Sequence, residues 1–153
     1  MKKIFLIPAL IMIISCSDSK ENNNLSQSTV IGRTIDIELK SNEGSNLVGT
    51  TEYPISDIAA TYLVNGKIVQ SNSPHDYPNN VLFFNNNKVV KIYLNDAVTE
   101  EFPITYIKWN KTDTDTIKAQ YKRTYNSITL DKLWILENNT WKELTSKPII
   151  IFK

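Results

Sequence analysis

The chain has 153 residues, 41% of them hydrophobic and 22% charged, and its formal net charge is +1. No basic excess is present to attract a polyanion, so nucleic acid is not an expected partner. The single cysteine excludes an intrachain disulfide, and one cysteine with one histidine is too few for a zinc site, so no cofactor is expected.

The first fifteen residues have the pattern of a secretory signal. Met1-Lys2-Lys3 is a short basic start, and residues 4–14 form an apolar run without charge. A run of about 7–15 apolar residues suits an export signal, whereas a membrane-spanning helix needs about 20. We therefore expect residues 1–15 to be a signal peptide that is removed.

Cys16 follows this run directly, in the order Ile13-Ile14-Ser15-Cys16. The order resembles the bacterial lipobox, although Ile13 stands where leucine is more usual. The resemblance implies that Cys16 is acylated, that the leader is cut before it, and that palmitate-like chains hold the protein to a membrane. Several chains on one cysteine are sufficient, since stable anchoring needs about two. The alternative is a plain secretory signal with an incidental cysteine beside the cut.

Residues 16–28 are polar and nearly free of apolar side chains, so they predict a disordered tether. Residues 29–153 are then a single β-rich domain, of a size that can bury a core. Ser17 after the cysteine resembles the Gram-negative sorting signal for the outer membrane. Asp18 and Glu21 resemble a surface-export signal of Bacteroidota lipoproteins, so the periplasmic face and the cell surface both stay open.

Beyond residue 33 the apolar side chains recur with a period of two, which is typical of half-buried strands. Asn65-Gly66 separates two apolar runs and predicts a hairpin, because both turn residues need positive φ. Residues 81–84 and 89–94, separated by Asn85-Asn86-Asn87, predict a second hairpin. Residues 95–101 form a longer connection with room for one helical turn. The strand-like segments are residues 34–40, 58–64, 67–70, 81–84, 89–94, 102–109, 116–122, 128–136, 141–144 and 149–152.

Short strands with turn signals between them predict an all-β fold. Our first choice is an antiparallel β-sandwich, immunoglobulin-like or similar, with about seven to nine strands; a small β-barrel is the second. In residues 116–122 the alternation directs Ile117, Ala119 and Tyr121 inward and Lys118 toward water. The last segment, residues 149–152, is fully apolar and predicts a central or tightly packed strand.

No residue cluster predicts catalysis. His75, the only histidine, lies in a proline-containing loop over residues 71–80, and no nucleophile motif accompanies it. A glycoside hydrolase would need two carboxylates a fixed distance apart. The available acids are better explained as turn residues or solvated faces: Asp96, Glu100, Glu101, Asp113, Asp115 and Asp131.

Residues 110–115 are the segment richest in oxygen ligands, so Asp113 and Asp115 are the weak candidates for a metal such as Ca²⁺. The glycine and closing glutamate of a calcium-binding loop are missing. The alternative, which we favour, is a hairpin turn in which Asn and Asp side chains bond their own backbone.

Aromatic residues are the remaining candidates for ligand binding. Tyr106, Trp109, Trp134 and Trp141 would bind sugar rings if they were collected on an outer sheet face. The alternative is that they pack in the core, as aromatic residues of β-proteins commonly do.

Two motifs carry a family resemblance: Tyr62-Leu63-Val64-Asn65-Gly66, and residues 104–110 with 113–118, which read ITYIKWN and DTDTIK. They resemble small all-β lipoproteins of Bacteroidota, a family of unknown function. The resemblance implies an envelope location and a β-rich fold but no functional site.

We therefore expect a membrane-anchored envelope lipoprotein that acts as a non-catalytic binding or structural module. Its partner would be a glycan or another envelope protein. The alternatives are a small envelope hydrolase acting on glycan, and an inhibitor that presents residues 71–80 as a protruding loop.

Overall fold

The protein is described by a computed structural model that covers residues 30–70 and 77–153. Signal peptide, Cys16, tether and His75 all lie outside these residues. The described chain forms strands and two short 3-10 turns, Ile55–Asp57 and Pro78–Asn80, and contains no helix long and apolar enough to cross a bilayer. The strands are β1 Val30–Gly32, β2 Thr34–Lys40, β3 Ala59–Val64, β4 Lys67–Val69, β5 Val81–Phe84, β6 Val89–Tyr93, β7 Ile104–Lys108, β8 Thr114–Thr124, β9 Ser127–Glu137, β10 Thr140–Glu143 and β11 Ile149–Phe152.

The strands form two sheets, which confirms the predicted all-β fold. One sheet has seven strands in the order β1-β9-β8-β7-β3-β4, with β10 also paired to β9, and the other has the order β11-β2-β6-β5. Most pairs are antiparallel as predicted, whereas β1 runs parallel to β9 and β11 runs parallel to β2. Both parallel pairs join strands that are distant in sequence. No hairpin turn connects such strands, so turn residues in the sequence do not predict that they pair.

The predicted hairpins are present. β3 and β4 meet across Asn65 and Gly66, with φ of 50° and 72°. β5 and β6 meet across three asparagines in succession, Asn85, Asn86 and Asn87, with φ of 51°, 53° and 66°. Asparagine tolerates this left-handed region because its short amide side chain bonds locally.

A single core lies between the two sheets. β2 contributes Ile35, Ile37 and Leu39, as the alternation predicts, while β8 contributes Ile117 and Ala119 from the opposite sheet. The inward side of β2 and of β8 is therefore the one that the period of two selected.

The prediction for the last strand was wrong. β11 lies at the edge of its sheet, with Ile149 and Ile151 buried and Ile150 and Phe152 exposed by 41% and 55%. An apolar run predicts a strand buried on both faces, but here only one face of the run meets the core.

The connection over residues 95–101 forms no helix. Its first residue, Asn95, forms hydrogen bonds that join this connection to β3 and β7. The Asn95 amide donates to the carbonyl oxygens of Leu63 and Ile104 at 2.9 and 3.1 Å. Its backbone N–H donates to the Thr105 hydroxyl at 2.9 Å. These bonds satisfy polar groups that would otherwise be buried without a partner.

Two tyrosine hydroxyls donate to backbone carbonyl oxygens at and near Asn95. Tyr62 donates to the carbonyl oxygen of Tyr93 and Tyr121 to that of Asn95, each at 3.0 Å. Burial raises the pKa of Tyr62 to about 12. Burial, with the negative charge of Asp96, raises the pKa of Tyr121 as well. Both hydroxyls are thus held as neutral donors.

Candidate functional site

The four aromatic residues predicted to bind ligand divide into buried and outward-facing ones. Trp109 is fully buried, and its indole N–H donates to the Asp115 carboxylate at 2.6 Å. The prediction of Trp109 as a ligand-binding residue was therefore wrong. The alternation of β7 continues past its last residue, so Trp109 points inward like Ile107, two positions before it.

Trp134 and Trp141 lie on the outer face of the seven-stranded sheet. In β9 the neighbours of Trp134, Leu133 and Ile135, are buried, so Trp134 points away from the core. Trp141 in β10 pairs with Leu136, which lies two positions from Trp134 and therefore on the same face.

Lys118 lies at the centre of this outer face. The register places it directly opposite Trp134 on one side and opposite Ile104 of β7 on the other. Residues that are directly opposite in a sheet share a face, so Lys118 and Trp134 are neighbours in contact distance.

Phe102 completes a group that we call the aromatic platform: Phe102, Trp134 and Trp141 around Lys118. The Lys118 ammonium is 4.5 Å from the Trp141 ring centre, 4.9 Å from that of Trp134 and 5.5 Å from that of Phe102. Phe102 meets Trp134 edge to face, with ring centres 6.1 Å apart. These distances lie within the range of cation–π attraction.

Lys118 was expected to face water, and its side chain instead lies against three rings. It is only partly exposed and takes part in no ion pair with any residue of the described ranges. Sequence reasoning missed Lys118 and Phe102 as members of the site. The signal for Lys118 was its outward position between the buried Ile117 and Ala119.

Tyr106 lies on the same outer face but outside the platform. It pairs with Thr61 of β3 and Thr116 of β8, and Thr116 is two residues from Lys118. Tyr106 is partly buried. It therefore extends the outer face to one side of the platform.

Asp113 and Asp115, the metal candidates, are brought together around the last side chain of the chain. The Lys153 ammonium is 2.9 Å from the Asp113 carboxylate and 2.8 Å from that of Asp115. Burial lowers the pKa of Lys153, but hydrogen bonds to Asp115 and Asp113 outweigh it and raise the pKa overall. A lysine ammonium thus lies where a bound cation would interact with both carboxylates.

Backbone bonds within this segment agree with the hairpin-turn interpretation. The Asn110 side-chain oxygen accepts the backbone N–H groups of Thr112 and Asp113 at 2.9 and 2.8 Å. Within residues 30–70 and 77–153, no group of three or more metal-ligating side chains occurs.

The other acids named for a hydrolase lie apart. Asp96 pairs with Arg33, Asp131 pairs with Lys122, and the Glu100 carboxylate accepts the backbone N–H of Asn65. Each is engaged at a different place on the domain. His75 lies outside the described residues.

A groove of about 1130 Å³ lies at a different place, between β9 and β2 beside the connection from β10 to β11. Its lining mixes apolar side chains, such as Leu130 and Leu144, with acids. Two of those acids, Asp36 and Asp131, are already paired with lysines. The aromatic platform differs from this groove because three rings converge there around a lysine that takes part in no ion pair with a described residue.

Comparisons of the chain with protein-family models, with curated proteins and with solved structures found no match.

Proposed function

We propose that the protein is a lipid-anchored, non-catalytic binding module of the bacterial outer membrane, and that it binds glycan through the aromatic platform. The observation that carries the proposal is the platform itself. Its three rings are gathered on an outward-facing sheet surface, while the core already contains its own tryptophan, Trp109.

The anchor is supported by the sequence. A basic start, a short apolar run and a cysteine at its end make residues 1–16 typical of a lipoprotein signal. The motifs that resemble Bacteroidota lipoproteins favour the same location. Residues 16–28, as a polar tether, would hold the binding domain away from the bilayer.

Sugar binding is supported by the chemistry of the exposed rings. Tryptophan offers a flat apolar face to the C–H groups of a sugar ring, together with an N–H donor at its edge. Phe102 is exposed by 38%, and Trp134 and Trp141 are partly exposed. Exposed apolar side chains that form a contiguous patch are characteristic of binding surfaces.

The test of binding is a glycan array followed by calorimetry, both with the full chain purified from bacteria. We expect the array to identify a saccharide that binds the wild type. Its affinity for the Trp134→Ala variant and for the Trp141→Ala variant should each be at least tenfold lower than for the wild type. Tyr125→Ala is the matched control, because Tyr125 is 93% exposed and lies in the turn between β8 and β9. Equal binding by all four proteins would contradict the proposed surface.

The test of the anchor uses the same purified material. Mass spectrometry is expected to find an N-terminal peptide that begins at Cys16 and carries acyl chains. Cys16→Ser should move the protein from the membrane fraction to the soluble fraction. An unmodified thiol, or a retained leader, would contradict the anchor without affecting the test of binding.

A further inference from the structure

We infer that the saccharide bound by the platform is acidic, and that Lys118 binds its carboxylate. This inference rests on the proposed glycan function and names the class of ligand within it. The structural feature that carries it is a positive charge placed among three aromatic rings and outside ion-pair distance of every carboxylate of the described chain. Glu143 of β10 lies opposite Trp134 on the same face, but on the far side of β9 from Lys118.

Other lysines of the domain show what is unusual about Lys118. Five of them lie within ion-pair distance of carboxylates, and these are Lys40, Lys91, Lys122, Lys142 and Lys153. The other described lysines without an ion pair are all exposed to solvent, and these are Lys67, Lys88, Lys108, Lys111, Lys132 and Lys147. Lys122 lies on the same strand as Lys118 and reaches Asp131 at 2.7 Å. Lys118 is the partly buried exception among the described lysines without an ion pair, and its ammonium lies over ring faces, so its charge remains available to an anion from outside.

The rings also fix where that charge is. Trp141, Trp134 and Phe102 hold the ammonium within 5.5 Å of all three ring centres. A lysine in solution samples many rotamers, and holding it in one place reduces the entropy lost when a ligand binds. Partial burial among rings strengthens its attraction to an anion relative to bulk water.

The two parts of the platform match the two parts of a sugar acid. The apolar face of a pyranose ring would stack on the exposed tryptophan surface, and its carboxylate would accept a charge-assisted hydrogen bond from the Lys118 ammonium. A cationic ligand fits less well, because it would meet the like charge of Lys118.

The experiment compares three oligosaccharides of equal length by calorimetry with the full chain. One is a uronic acid oligomer, and the second is the same oligomer with its carboxyl groups reduced to alcohols. The third is built from neutral sugars that carry sulfate groups, so its charge comes from sulfate and not from carboxylate. We expect the uronic acid oligomer to bind at least tenfold more tightly than its reduced form, with an affinity that falls as salt is added. The sulfated oligomer shows whether Lys118 recognises negative charge in general or the carboxylate, and binding tighter than that of the uronic acid would overturn the assignment.

Lys118→Met removes the charge and keeps most of the apolar stem, so it should abolish the preference for the acidic oligomer. Lys118→Arg restores a charge and should restore the preference. Lys67→Met is the matched control, since Lys67 is exposed on β4 and away from the platform. Near-ultraviolet circular dichroism of each variant verifies that the aromatic packing is intact.

The outcomes separate this inference from the function on which it rests. If acidic and reduced oligomers bind the wild type equally, or if Lys118→Met keeps the preference, the inference is wrong and the glycan function stands. If no saccharide binds, the proposed glycan function fails with it. Binding of an acidic peptide in place of every saccharide would overturn both.

Discussion

Two lysines of this domain have opposite kinds of partner, since one is held by carboxylates and the other by aromatic rings. Lys153 lies between the carboxylates of Asp113 and Asp115, and Asp115 also accepts the indole N–H of the buried Trp109. Lys118, on the outer face of the seven-stranded sheet, lies over three rings and forms no ion pair with a described residue.

The difference separates a closed polar site from an open one. At Lys153 the ammonium is bonded to carboxylates on both sides, so the cluster fastens Lys153 to the turn before β8 and to the start of β8. At Lys118 the rings stabilise the charge only in part, because a ring face is a weaker partner than a carboxylate. The first site should therefore matter to stability and the second to binding.

The largest expected effect is at the closed site. Asp115→Ala removes one partner of Lys153 and the acceptor of the Trp109 indole N–H in one step. Leaving a buried donor without an acceptor, and a lysine with half its counter-charge, should lower the free energy of unfolding by about 3 kcal/mol. Urea denaturation monitored by tryptophan fluorescence measures this.

Asp131→Ala is the control for that experiment. Its partner, Lys122, has a side chain exposed by 73%. The loss should stay below about 1 kcal/mol because exposed ion pairs contribute little. If both variants unfold at the same urea concentration, the Lys153 cluster is not the stabilising element described above.

The hydroxyls of Tyr62 and Tyr121 are also bonded within the protein, to backbone carbonyl oxygens. Their contribution to stability can be measured by raising the pH, because burial raises their pKa values. Burial raises the pKa of Tyr62 to about 12, above the ordinary tyrosine value of 10.0. The folded state then holds its proton more tightly than the unfolded state, so the associated stability is complete below pH 10 and is lost as the pH rises toward 12. The raised pKa values of Tyr121 and Lys153 act in the same direction.

Urea denaturation between pH 9 and pH 12, a range chosen about the ordinary tyrosine pKa of roughly 10, tests this. The wild type should lose stability steadily across the upper part of that range. Tyr62→Phe should lose less, because the group that titrates is gone, and Tyr125→Phe at the exposed turn should follow the wild type. A Tyr62→Phe profile parallel to that of the wild type would contradict the assignment.

The features that could be predicted from the sequence are those that depend on residues near one another in the chain. The hairpins followed from local chemistry, since Asn65-Gly66 and the asparagines from Asn85 to Asn87 supply the positive φ that tight turns require. The alternation of β2 and β8 selected the buried side chains correctly. The turn over residues 110–115 was likewise recognised as side chains bonding their own backbone.

The platform was harder to predict because it depends on one extra residue in β9. Near the turn, Tyr121 pairs with Leu130 and Lys122 with Thr129, whereas beyond a register shift Gln120 pairs with Lys132. Without that bulge, Lys118 would lie opposite the inward-facing Leu133. With the bulge, Lys118 lies opposite Trp134. No turn residue in the sequence predicts this shift of register.

The smallest expected change in stability is at the open site, and it decides how the platform is to be understood. Lys118→Met removes a cation–π contribution of about 0.5–1 kcal/mol, but the methionine stem still covers the rings and its sulfur makes favourable contacts with them. We therefore expect a loss of stability below about 1 kcal/mol, with a double-mutant cycle to Trp141→Ala giving a coupling energy of about 0.5 kcal/mol. A destabilisation as large as that of Asp115→Ala would mean that Lys118 fastens the sheet as Lys153 does. The rings would then form a structural cluster, and the distinction between a closed and an open site would disappear.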